Sequence, residues 1–132
     1  MSKISKIVAR QVFDSRGNPT IEAEIFSGNS SASAICPSGA STGTYEAFEK
    51  RDKSNIKYLG KSVFKAINLI NKKISKKLKG QNVHNQERID SIMINLDGTK
   101  QKIKIGANPP SSPTDVDKPF ELIIFFRFCI TK

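Results

Sequence analysis

The apolar residues of this chain change period once, and that change limits what it can fold into. Through residue 36 they alternate, as strands require; from residue 61 they recur every three or four positions, as helices require. Residues 20–26 alternate most cleanly, with Ile21, Ala23 and Ile25 facing one way and Thr20, Glu22 and Glu24 the other. Residues 4–14 read as an earlier strand, with Ile7, Ala9 and Phe13 on one side and Val8 and Val12 on the other. Between these strands, Ser15-Arg16-Gly17-Asn18-Pro19 concentrates turn formers, since Gly17 and Asn18 tolerate positive φ and Pro19 lacks a ladder donor. Ser27-Gly28-Asn29-Ser30 makes a second turn, and residues 31–36 a third strand of small residues. The predicted result is a three-stranded antiparallel meander.

Helices are predicted to follow. Residues 45–51 suit a short one. Residues 61–78 suit a longer amphipathic one, with Val63, Ala66, Ile67, Ile70 and Ile74 inward and Lys61, Lys65, Lys72, Lys73, Lys76 and Lys77 outward. Gly80 can end it. Asn85 can cap another, in which Ile89, Ile92, Met93 and Leu96 make one apolar stripe and Gly98 supplies the stop. Strands followed by helices, without alternation, indicate an α+β domain whose helices cover one face of the sheet.

A chain of 132 residues has room for one ordinary domain. Its net charge of +10 attracts anionic partners electrostatically. No recognition motif or aromatic-interleaved basic patch accompanies the lysines, however, so they read as a solvated face and nucleic acid is not the expected partner. Cys36 and Cys129 have neither metal-ligand spacing nor a disulfide-rich context, and read as free thiols. Residues 1–10 lack the apolar core of a signal peptide and no stretch reaches the length of a membrane span, so a cytoplasmic location is expected. His84, the single histidine, sits in a polar connector and is not expected to act in catalysis.

The segment richest in chemical possibility is Pro37-Ser38-Gly39-Ala40-Ser41-Thr42-Gly43-Thr44-Tyr45-Glu46-Ala47. Glycines and small hydroxyl residues between a strand and a helix can bring backbone oxygens and a hydroxyl close to a hard cation or a phosphate. The same composition also suits a plain linker.

Taken with Asp14-Ser15-Arg16-Gly17-Asn18-Pro19-Thr20 and Leu96-Asp97-Gly98-Thr99, this loop resembles three signatures of the enolases, in the right order and spacing. The resemblance covers roughly residues 4–108. It implies the amino-terminal capping domain of that family, a meander plus helices that packs against a larger α/β barrel. It also implies a homodimer. Complete enolases remove water from 2-phosphoglycerate to give phosphoenolpyruvate, using a lysine base, a glutamate acid and magnesium ions that stabilise the enediolate. By the same resemblance Ser41 coordinates the second magnesium through its hydroxyl and carbonyl once substrate is bound. Ser38, Gly39, Ala40, Thr42 and Gly43 complete a lid loop, with the glycines as hinges. Arg16 holds the loop region or a barrel contact, and Arg10 and Glu22 match positions that pair with the other subunit's barrel; without it they are expected to stand exposed.

After Asn108 the resemblance stops. Pro109-Pro110-Ser111-Ser112-Pro113 excludes regular helix, and residues 120–130 form an apolar run suited to an extra strand or to aggregation. The expected organisation is therefore a capping domain at 1–108 and a non-family tail at 109–132. So sudden a departure is the mark of a shifted reading frame or a truncated gene copy, and the catalytic barrel is expected to be absent. On this reading the polypeptide by itself is inactive. The alternative is a non-catalytic basic binding module whose lysine face meets RNA, an anionic surface or a protein partner.

Overall fold

A meander of three strands, β1 (Ile4–Phe13), β2 (Pro19–Ser27) and β3 (Ser30–Cys36), forms an antiparallel sheet in the order β1-β2-β3. The computed structural model describes residues 2–36, 51–53 and 57–98. Within them the strand boundaries fall within a residue of those expected from alternation. The segment 45–50, most of the short helix expected before Arg51, and the tail at 109–132 lie outside the described residues.

One face of the sheet is apolar and covered. Ile7 and Ala9 of β1 and Ile21, Ala23 and Ile25 of β2 are buried on it. Ile4 joins them although it is out of phase with Ile7, because the pairing slips between Ile4 and Lys6 and resets the alternation. Phe13 departs from the expected pattern. It shares the phase of Ile7 and Ala9 but is 51% exposed at the strand end, where its ring meets that of Tyr58 edge to face.

The cover is a continuous helical rod made of α1 (Phe64–Leu69), a π-helical segment (Ile70–Ile74) and α2 (Ser75–Leu78). It begins three residues later than the periodicity suggested. Val63, Ala66, Ile67, Ile70, Ile74 and Leu78 are all buried against the sheet. The widened turn, marked by the Ser75 N–H donating to the Ile70 carbonyl five residues back, occurs where the rod meets β1. There the Asn71 amide makes a paired contact with the strand backbone: Oδ1 accepts from Ala9 N at 2.7 Å and Nδ2 donates to Ala9 O at 3.0 Å. One turn on, Ser75 Oγ accepts from Ile7 N at 3.4 Å. The Ile4 end of the same edge pairs with residues 80–81, through Ile4 N to Gln81 O and Gly80 N to Ile4 O. The outer edge of β1 is thereby closed, which removes a template for strand-to-strand association.

Helix α3 (Gln86–Asp97) completes the core with Ile89 and Met93, while Ile92 and Leu96 are half-buried beside it. Its ends are as the sequence indicates. Asn85 accepts from Arg88 N, and Gly98 adopts the left-handed conformation (φ 66°) that a side chain would disfavour.

Candidate functional site

Of the three signature segments, residues 14–20 and 96–98 fall among the described residues. The turn after β1 is organised by Asp14, whose Oδ1 accepts from Arg16 N and Asn18 N, both at 2.9 Å. Main-chain bonds from Asp14 N to Asn18 O and from Gly17 N to Asp14 O close the turn, with Gly17 at φ 74°. Donation from the Asn18 N–H is the largest influence on the Asp14 carboxyl and holds it below its ordinary value of 3.8; burial opposes the shift, and Arg16 N–H and charge assist it. A carboxylate whose folded pKa is depressed contributes stability above its unfolded value and loses that contribution as pH falls through the lower folded one. Asp14→Asn keeps an acceptor oxygen but no charge. It is expected to flatten the loss of stability below about pH 4, checked by denaturant midpoints as a function of pH.

The described residues resume at Arg51, after residues 37–50, which include Ser41. Arg51 Nη1 donates to the carbonyls of Pro19 and Lys61, joining this point of the chain to the Asp14–Pro19 turn and to the residues just before the rod. Asp52 caps the rod from twelve residues upstream. Its Oδ2 accepts from Phe64 N and its Oδ1 from Lys65 N, each at 2.9 Å. The sequence reading missed this cap. Val63 precedes the helix and offers no acceptor, which was the only signal that one had to come from elsewhere. Asp52 N to Ser62 O and Lys53 N to Gly60 O pair the two stretches, and Lys61 Nζ reaches Asn18 Oδ1 at 3.3 Å.

The same end of the molecule exposes an apolar patch. Phe13 and Tyr58 meet edge to face with centroids 5.3 Å apart, and Leu59 is 86% exposed and Phe64 partly so. Tyr58 and Leu59 both hold positive φ, 49° and 53°, a conformation costing roughly 1–2 kcal/mol for a residue with a Cβ.

Ser38, Gly39, Ala40, Ser41, Thr42 and Gly43 lie outside the described residues. Arg16, in the turn, has its guanidinium 3.9 Å from the Asp14 carboxylate. Arg10 is elsewhere, in the middle of the open sheet face. Arg10 is exposed, as expected, and Glu22 is half-buried; the two are cross-strand partners, with Arg10 Nε 2.9 Å from Glu22 Oε2 and Nη2 on the Glu24 carboxylate. Opposed pairs on one sheet face meet wherever strand register aligns them. Among the described residues no group of three or more His, Cys, Asp or Glu side chains is placed to hold a metal ion. No helix among them is long and apolar enough to cross a membrane.

Known proteins match this sequence over the same segments. The family described as "Enolase, N-terminal domain" matches residues 4–111. The enolase of Pelagibacter ubique (strain HTCC1062) is 75% identical over 108 residues, covering 82% of this chain and 26% of that protein. The enolase of Methanococcoides burtonii is 52% identical over 105 residues, covering 80% of this chain and 25% of that protein. The chain thus spans about a quarter of the length of these relatives. A meander, a covering rod, a third helix and a match through nearly all of them lead to one conclusion: the chain belongs to the enolase N-terminal domain family.

Proposed function

We propose that this chain supplies the capping domain and lid loop of a magnesium-dependent enolase, the dehydration of 2-phosphoglycerate to phosphoenolpyruvate, and is inactive by itself. The observation that carries this reading is the family match over residues 4–111, which includes Ser41. The anchoring of Arg51 and Asp52 supports it, because a loop that closes on substrate needs a fixed point from which to move. The apolar patch of Phe13, Tyr58, Leu59 and Phe64 beside that anchor is the surface on which the rest of an enolase docks. Arg10 and Glu22 exchange their mutual pairing for contacts with a second subunit.

Ser41 offers a hydroxyl and a carbonyl oxygen, two hard donors suited to magnesium, whereas magnesium requires an octahedral set. This chain therefore completes a site held mainly by groups it does not contain. When bound, the ion stabilises developing negative charge on the substrate. The proton-transferring residues of the family belong to its barrel. The 132-residue polypeptide, assayed with magnesium and 2-phosphoglycerate, is expected to give no phosphoenolpyruvate above a protein-free control. A chimera joining residues 1–108 to the remaining three quarters of the Pelagibacter ubique enolase is expected to turn over. Product from the polypeptide alone, or a soluble folded chimera without activity, overturns the reading.

A further inference from the structure

Against the expectation from composition and motifs, we propose that the lysine face of the helical rod is a docking surface for the phosphate backbone of a nucleic acid duplex, a role independent of the enolase reading. Lys72, Lys73, Lys76, Lys77 and Lys79 fall within eight consecutive positions, and all five are exposed. Lys61 and Lys65 extend the row towards the start of the rod, also exposed. Residues 53–86 contain nine lysines and not one aspartate or glutamate. Among the described residues, six acidic side chains have defined partners away from this face: Glu22 and Glu24 with Arg10 on the opposite face of the sheet, Asp52 at the helix start, Asp14 in its turn, and Asp90 with Gln86, while Asp97 is buried at the end of α3. Among the described residues, none of the five lysines from Lys72 to Lys79 makes an ion pair.

Charge of one sign on an extended rod selects a ligand with repeating opposite charge. A helix of this length runs about 22 Å, the span of about six phosphates along one strand of a duplex. Lys72 and Lys76, and Lys73 and Lys77, are four residues apart, so the charges form two adjacent rows. A bilayer surface is a poorer fit. An interfacial helix must offer its apolar side to lipid, and here Ala66, Ile67, Ile70, Ile74 and Leu78 are already committed to the sheet. Single-stranded ligands are bound by stacking on aromatic rings, and no aromatic residue lies between Lys65 and the end of the rod. The recognition is therefore one of charge and spacing, without sequence preference.

Fluorescence anisotropy of a labelled 20-base-pair duplex with the full 132-residue chain tests this. Binding at 50 mM potassium chloride is expected to weaken about 10²- to 10³-fold by 200 mM, a logarithmic slope of about −4 for five phosphate contacts. The variant Lys72→Gln, Lys73→Gln, Lys76→Gln, Lys77→Gln is expected to lose at least about tenfold in affinity and to flatten the slope to about −1. A second variant, Lys3→Gln, Lys6→Gln, Lys100→Gln, Lys102→Gln, carries the same net charge and is expected to keep the original slope. Circular dichroism establishes that both remain folded. Equal losses in the two variants reduce the effect to diffuse net charge and overturn the proposal. So does capture by phosphatidylserine vesicles without binding to the duplex, which assigns the face to a lipid surface instead.

Discussion

Replacing Ile74 with alanine is expected to destabilise the folded chain by about 2–5 kcal/mol, a large part of the roughly 5–15 kcal/mol that holds a small domain together. Ile74 is fully buried where the π-helical segment passes into α2. It belongs to the cluster that includes Ile4 and Ile7 from the sheet and Met93 from α3. Truncation removes three carbons from the junction of all three elements, so the cavity has lining from each and cannot be closed by shifting one of them. The Asn71 and Ser75 contacts resist such a shift further, because moving the rod also strips hydrogen bonds from the β1 edge. Urea unfolding followed by circular dichroism measures the effect. Ile94→Ala serves as reference: Ile94 is 37% exposed on α3, and its loss is expected to change stability by about 0.5 kcal/mol or less. Equal midpoints for the two variants would place the centre of the core elsewhere.

In the chimera described above, Ser41→Ala is expected to lower kcat about 10²- to 10³-fold while leaving thermal stability unchanged. That is the magnitude seen when a single prearranged group facing developing charge is removed. The alanine retains a backbone carbonyl and loses only the hydroxyl, so residual turnover is expected to rise with magnesium concentration. Ser38→Ala, in the same loop but without an assigned ligand role, is expected to cost far less. A Ser41→Ala chimera within threefold of its parent would remove Ser41 from the metal site and leave the loop as a cover alone. Steady-state kinetics across a magnesium series distinguishes these outcomes.

Much of the fold was legible because strands and helices write their own periods into a chain. Ile21, Ala23 and Ile25 announced β2, and Ile70 and Ile74 announced the rod, through local spacing alone. Asn85 and Gly98 bounded α3 for equally local reasons, an acceptor side chain at one end and a left-handed residue at the other. Of the candidate site, the sequence named Ser15–Pro19 as a turn, and the family resemblance implied Ser41 as a ligand. It said nothing of what fixes the loop end at Arg51.

The limits were set by distance along the chain. Asp52 caps a helix twelve residues away, Arg51 joins Pro19 to Lys61, and Asn71 closes an edge sixty-two residues away. No window of sequence contains both partners of such a contact. Strand pairing in turn decided that Arg10 faces Glu22 and Glu24. The order of elements, their periods and their caps follow from neighbouring residues, whose sterics and hydrogen bonds act within one turn or one pleat. Which charges neutralise one another, which edge is closed and which surface stays open depend on groups that only the folded chain brings within a few ångströms.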